Sequence, residues 1–278
     1  MDTYPKISVI TPSYNNAQYL EETMQSILTQ DYPYLEYIII DGGSTDGSVG
    51  VIRKYAKHLA HWVSEPDQGQ SDALNKGLQF ATGEIVAELD TDDLYLPGTL
   101  SLVASFFRLH PEVDFVYGDQ GTIDDKGNLI FVKKTIPYDH QSQLYGGCLI
   151  PQPSSFWRKR VFEKVGNFDT TLHYNMDVDF FIRCGIKGVR FGHIPKPLSC
   201  FRIHEASKTT ANPERLIMAN RMIASKYAKK YFKNEHLNDM ALGFLKWFYR
   251  GKIYVKRAVM RGDFVPFRTT TFMYRVSK

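Results

Sequence analysis

Ile7-Ser8-Val9-Ile10-Thr11-Pro12-Ser13-Tyr14-Asn15-Asn16 is a short, largely apolar and β-branched run that breaks at a proline and ends in polar residues. It reads as a buried strand followed by a turn. Leu20, Met24, Ile27 and Leu28 follow at helical spacing, and Tyr37 to Ile40 is a second apolar run. Strand, helix and strand in that order predict a βαβ unit in a buried parallel sheet. The pattern then repeats, with a helix over 49–59, a strand over 61–64, a helix over 71–80 and a strand over 84–89. Four alternations predict an α/β fold with a Rossmann-like nucleotide-binding half.

Beyond Pro97 the pattern gives a helix to about His110, a strand at Phe115 to Tyr117 and a hairpin tip at Asp124 to Asn128, so the second half of the sheet is expected to be mixed. From Asn212 onward Lys and Arg recur among Met, Tyr, Phe and Trp with few strand signals. The expected division is a catalytic α/β domain over 1–212 and a helical extension over 213–278. A chain of 278 residues, 43% hydrophobic, suits one large core with such an appendage.

A formal charge of +4 fits a phosphate-bearing partner or an anionic membrane, and equally an ordinary soluble enzyme. The basic residues form no nucleic-acid-binding motif, so that partner is discounted. Cys148, Cys184 and Cys200 are scattered and odd in number, which suggests neither a disulfide framework nor a zinc site. No stretch has the length of a signal peptide's apolar segment or of a membrane span, and a cytoplasmic home is expected.

Chemistry gathers at the strand ends. Thr11 to Asn16 follows the first strand, where ligands bind in open α/β sheets, although Asn16 also suits a helix cap. Asp41-Gly42-Gly43-Ser44-Thr45-Asp46-Gly47-Ser48 follows the second; Asp41 is placed to accept from a base or ribose, and Asp46 to cap the next helix. Neither GxGxxG nor a P-loop is present, which disfavours dinucleotide or ATP binding. Asp90-Thr91-Asp92-Asp93 follows the strand over 84–89. Three acids in four residues repel one another unless a hard cation offsets them, or unless one caps the helix after Pro97. Mg²⁺ or Mn²⁺ is the expected ion.

These three strand ends resemble the glycosyltransferase family 2 pattern on a GT-A fold, over roughly residues 6–205. The resemblance implies that Thr11, Pro12, Tyr14 and Asp41 hold the nucleotide base. It implies a donor site lined by the segment 65–77, including Gln70 and Asn75, and by Asp90, Thr91 and Asp92 as the DxD element. Asp92 would hold the metal, with Asp93 a rival ligand and Asp90 near the ribose. Asp177, in Tyr174-Asn175-Met176-Asp177-Val178-Asp179, matches the family's catalytic base, though Met176 replaces the common first acid. The residues alone also allow Asp177 to start a helix and Asp179 to pair with Arg183. His204 matches a histidine on the metal or diphosphate, with Arg202 and Lys208 available for phosphate charge. Trp157 either stacks on an acceptor sugar or sits in the core.

The implied activity is inverting, metal-dependent transfer of a single sugar from a nucleoside diphosphate donor, a UDP-sugar, to a glycan or lipid-linked saccharide acceptor in polysaccharide or O-antigen-like assembly. The polymerising Gln-x-x-Arg-Trp motif is absent. The basic-aromatic C-terminal stretch is expected either to dock on anionic lipid at the inner face of the membrane or to pack on the domain with a solvated basic face. A nucleotidyltransferase lacks support, having no glycine-rich basic loop at the first turn. A silent nucleotide-sugar binder is suggested only by Met176.

Overall fold

The computed structural model describes residues 4–232 and 239–261. The opening run forms β1 (Ile7–Ser13), buried along its whole length. It feeds α1 (Ala17–Leu28), whose Leu20, Met24 and Ile27 face the sheet. β2 (Leu35–Asp41) lies parallel to β1, in a register that runs from Ile7 opposite Leu35 to Ser13 opposite Asp41. α2 (Ser48–Tyr55), β3 (His61–Ser64), α3 (Gln70–Phe80) and β4 (Ile85–Glu88) complete the alternation. β3 pairs parallel with β2 and β4 parallel with β1, giving the order β3-β2-β1-β4. The strand order reverses between β1 and β4, which opens a crevice at their carboxyl ends. α3 packs closely over β1 at Gly77, where an added Cβ would come within 2.5 Å of the Ile10 side chain.

The chain continues through β5 (Leu94–Tyr95), α4 (Thr99–Leu109), β6 (Phe115–Ile123), β7 (Leu129–Lys133), β8 (Ser155–Arg158), α5 (Arg160–Val165), α6 (Met176–Ile186) and β9 (Phe191–Arg202). It then turns helical in α7 (Lys208–Ala211), α8 (Pro213–Phe232) and α9 (Asp239–Arg261). β8 lies antiparallel between β4 and β6, β9 runs parallel to β6, and β5 and β7 add antiparallel pairs. The sheet is therefore mixed in its second half, as expected. The Asp124 to Asn128 tip joins β6 to β7, with Asp124 N donating to Asn128 O at 3.0 Å.

Two elements exceed their sequence signal. β6 runs nine residues rather than three, because its buried Asp119, Gln120 and Thr122 interrupt the apolar pattern. β9 carries Pro195 and Pro197, which argue against a strand; the ladder accommodates them by register shifts near Asp119.

Apolar layers cover both faces of the sheet, one including Leu20, Met24, Leu100 and Phe107, the other Leu74, Phe180 and Phe181. Trp157 belongs to the second layer. It is 1% exposed, and its ring packs against Phe115, Phe162, Phe168 and Phe180. The expectation that it stacks on an acceptor sugar is corrected: the side chain points from β8 into the core, where no sugar reaches it. α8 adds Ile223 and Tyr227 to a smaller cluster with Leu144, Tyr145, Val178 and Ile182. No helix among the described residues is long and apolar enough to cross a membrane. Residues 233–238 and 262–278 of the expected extension lie outside the described residues.

Candidate active site

Because β1, β2 and β4 are parallel, their carboxyl ends share one edge. At the β1 end, Thr11 is fully buried and accepts a hydrogen bond from the Tyr37 hydroxyl at 3.1 Å. Pro12 is buried too, so Tyr14, 65% exposed, is the residue of this turn with a ring open to a ligand. Asp41 is fully buried. Its Oδ2 accepts from Gly43 N, Ser44 N and the Ser64 hydroxyl, and its Oδ1 from the Ser44 hydroxyl at 2.5 Å. The carboxylate thus shapes its own loop. Asn16 occupies the α1 cap position without a side-chain capping bond. Its amide instead donates to Thr91 Oγ1 at 2.9 Å, while Asp46 caps Ala17 N at 2.8 Å and also accepts from Ser48 N.

The acidic loop after β4 brings carboxylate oxygens of Asp90, Asp92 and Asp93 within 4.8 Å of one another. His204, just beyond β9, places Nε2 2.9 Å from Asp92 Oδ2. Gln70, the first residue of α3, donates to Asp90 Oδ1 at 2.7 Å and accepts from Lys208 Nζ at 2.9 Å. Three distant stretches thereby converge on one loop. Burial, and then the adjacent Asp92 carboxylate, push the Asp90 carboxyl up to about 7. Asp93 is raised by burial and by both neighbouring acids; its Oδ1 accepts from Arg202 N at 3.0 Å, and its buried Oδ2 has no hydrogen-bond partner among the described residues. Clustered oxygens, an imidazole and an orphaned buried carboxylate oxygen fit a hard divalent cation.

Two expected donor residues are corrected. Arg202 is 1% exposed, and its guanidinium donates to the Asp92, Asp124 and Asp125 carbonyls and pairs with Glu22 at 2.6 Å. It braces the acidic loop against the hairpin and α1, and its donors are committed to those contacts. Asn75 clamps the Phe168 backbone in both directions, at 2.9 and 3.0 Å, which fixes the segment leading into α6. Its amide is committed there rather than to a donor.

Asn175, with φ of 57°, turns the chain into α6 and leaves Asp177 in the first turn. Asp179 is 1% exposed and is held by Arg183 at 2.7 Å and by the Tyr227 hydroxyl at 2.5 Å. Asp177 instead lines a cavity of about 870 Å³ shared with Gln70, Asp90 and Lys208. Burial raises its carboxyl above the ordinary range, opposed by the amides of its own helical turn. Met176 fills the preceding position and receives the Ser71 hydroxyl on its sulfur at 2.8 Å.

A family model for glycosyl transferase family 2 matches residues 8–181, which contain β1 through the acidic loop to Asp177. The chain belongs to glycosyl transferase family 2. An uncharacterised glycosyltransferase of Rickettsia typhi is 29% identical over 269 residues, covering 88% of this chain and 82% of the relative. A PGL/p-HBAD biosynthesis glycosyltransferase of Mycobacterium bovis is 32% identical over 193 residues, covering 65% and 70%. Among solved structures, S. aureus TarS 1–349 in complex with UDP-GlcNAc superposes with a TM-score of 0.65 at 20% identity, covering 88% of this chain and 71% of that one. The mannosyltransferase PcManGT of Pyrobaculum calidifontis, in complex with GDP-Man and Mn²⁺, gives 0.62 at 20% identity, covering 94% and 76%. The fold is the GT-A fold, and the chain is a glycosyltransferase.

The family's motifs do not point to Glu88, the last residue of β4. It is 1% exposed, lines the cavity, and has no hydrogen-bond partner among the described residues on either carboxylate oxygen. Burial first, then Asp90 and Asp177, hold its carboxyl well above the ordinary range. The sequence reading missed it; an acid inside an otherwise apolar strand is the signal that could have found it.

Proposed function

We propose that this enzyme is an inverting, metal-dependent glycosyltransferase that moves one sugar from a UDP-sugar to an acceptor hydroxyl in polysaccharide or O-antigen-like assembly. The observation that carries this reading is the shared cavity: Asp177 and Asp90 line it together, and Asp90 belongs to the acid cluster that touches His204. Mn²⁺ or Mg²⁺, held by Asp92 and His204 with Asp93 as the alternative carboxylate, would supply positive charge to the departing diphosphate. Tyr14 offers its open ring to the base, and Gln70 holds Lys208 beside the donor end of the cavity.

Asp177 accepts the proton of the acceptor hydroxyl as its oxygen forms the new bond to the anomeric carbon. The bond to the diphosphate oxygen breaks on the opposite face, and that oxygen departs with the electron pair. The anomeric configuration inverts. Burial of Asp177 raises its proton affinity, which suits it to take a proton from a hydroxyl.

The α8–α9 extension is proposed to dock on anionic lipid, placing the enzyme peripherally on the cytoplasmic face of the membrane and its site near a lipid-linked acceptor. Phe244, Trp247, Phe248, Val255 and Val259 are exposed on α9. At helical spacing they occupy roughly one third of its circumference, opposite the buried Ile253. Lys256 of the same helix lies beside this face and favours an anionic surface. Failure of the full chain to co-sediment with phosphatidylglycerol vesicles at low salt removes this part of the proposal.

The decisive experiment is UDP-sugar turnover by wild type and Asp177→Asn in Mn²⁺. Loss of transfer with UDP binding retained supports the base assignment. Equal turnover by the two proteins refutes it, and UDP binding without turnover by wild type favours a silent binder.

A further inference from the structure

β4 is buried at every position, and Ile85, Val86 and Ala87 are apolar. Ile85 and Ala87 belong to the apolar layer on one face of the sheet, and Val86 to the layer that contains Phe180 and Phe181 of α6. Alternation along the strand therefore turns Glu88 toward the α6 side, where the packed layer gives way to the cavity that Glu88 lines. Its two buried carboxylate oxygens accept no hydrogen bond among the described residues. Gln152 lines the same cavity, but its amide donates to the Glu88 carbonyl oxygen, at 3.4 Å, and is the weakest of the influences acting on the carboxyl. A dry acid without a donor lowers stability, and a ligand that brings an O–H or N–H removes that cost.

The place of this carboxyl narrows what the ligand is. After burial, Asp90 acts on it most strongly and Asp177 next. In the reading above, Asp90 belongs to the end that takes the cation and the diphosphate, and Asp177 to the end that takes the acceptor hydroxyl. When one oxygen enters as the other leaves from the opposite face, the sugar ring lies between them. A group under the influence of both ends therefore stands beside the sugar in transit. A carboxylate there repels the diphosphate and suits a sugar hydroxyl, which donates to it. With Asp90 and Asp177 close by, it also disfavours a sugar that carries a negative charge of its own.

We propose that Glu88 is a specificity-determining residue whose carboxyl group accepts a hydrogen bond from a hydroxyl of the transferred sugar, and that this sugar is uncharged. The proposal rests on the glycosyltransfer reading above and names its class of donor sugar.

The test measures donor affinity of the full chain in Mn²⁺ at fixed pH, by competition against a fluorescent UDP analogue. The ligands are UDP, UDP-glucose, UDP-galactose, UDP-N-acetylglucosamine and UDP-glucuronate. Wild type is expected to bind at least one of the uncharged donors roughly tenfold more tightly than UDP-glucuronate. Monodeoxy analogues of the best donor then locate the hydroxyl: one of them should bind wild type roughly tenfold more weakly than its parent, and that penalty should vanish in Glu88→Leu. Glu88→Leu should keep its UDP affinity and melt at or above the wild-type temperature, because an unpaired acid has left the interior, whereas a merely structural acid would lower it. Glu88→Met gives the same readout in an unbranched shape should the leucine variant fail to fold. No deoxy penalty in wild type, a penalty that persists in the variants, UDP-glucuronate bound as tightly as the uncharged donors, or UDP affinity lost together with sugar affinity overturns the proposal. Absence of UDP binding by wild type overturns the donor reading as well.

Discussion

Raising the pH from 6 to 8 is expected to tighten Mn²⁺ binding by at least tenfold. The perturbation acts on Asp90, whose carboxyl is carried from an ordinary 3.8 to about 7, by burial first and by Asp92 second, with Lys208 and Gln70 drawing it partly back. A cation settling in the acid cluster must displace the proton that this group holds. The ionised fraction rises from about one in eleven at pH 6 to about ten in eleven at pH 8, a ~10-fold gain in apparent affinity, or ~1.4 kcal/mol. Glu88, Asp93 and Asp177 are raised in the same direction, so their protons add to the effect. The sign for stability follows from the same shift. The folded, metal-free chain holds a proton on Asp90 that the unfolded chain releases, so this contribution is fully present below pH 3.8 and is lost as pH rises through about 7. Mn²⁺ should therefore raise the melting temperature more at pH 8 than at pH 6. Isothermal titration calorimetry at pH 6, 7 and 8 and constant ionic strength measures the affinity, and Asp90→Asn should flatten the slope. Equal wild-type affinity at pH 6 and pH 8 refutes the reasoning.

Arg202→Met strips the acidic loop of its brace and leaves three carbonyls without their donor. A loss of ~1–3 kcal/mol is expected, visible in calorimetry as a fall on the order of 5 °C; a shift under about 2 °C means the brace is dispensable. Trp157→Ala opens the core beneath β8 and should cost ~3–5 kcal/mol, while the folded fraction keeps its acceptor KM; a selective rise in that KM would return Trp157 to the acceptor site. Tyr14→Ala should leave stability within ~0.5 kcal/mol yet weaken UDP binding by ~1–3 kcal/mol through lost base stacking. Unchanged UDP affinity places the base elsewhere.

The first half of the fold was legible because β1, β2 and β4 are buried on both faces and so are written as largely apolar runs. β6 was legible only at its start. Asp119 breaks the pattern, yet it is buried and satisfied by Thr135 N and Oγ1 at 2.8 Å and by Lys134 at 2.9 Å, partners that a local reading does not supply. The site divides in the same way. Residue types at a strand end pointed to the acid cluster, whereas Asp177 and His204 came from the family resemblance. The two readings of the α6 start proved compatible, with Asp179 pairing to Arg183 while Asp177 lines the cavity. Arg202, Asn75 and Trp157 sit beside motif residues in sequence, but which way each side chain turns depends on tertiary partners far along the chain.

The loss of Arg202 from the donor site sharpens the case for a cation. An arginine two residues from His204 is expected, from the sequence, to offer its charge to a donor phosphate. In the fold its side chain reaches carbonyls and Glu22, and only its backbone amide reaches a carboxylate, that of Asp93. The three acids are left with the His204 ring, the Gln70 amide and, through Gln70, the exposed Lys208. Burial raises the Asp90 and Asp93 carboxyls against this local support, so a cation arriving in the cluster favours their ionisation. The protein thereby couples metal capture to proton release: a brace that neutralised the acids directly would have stabilised the empty loop and abolished the pH dependence expected above.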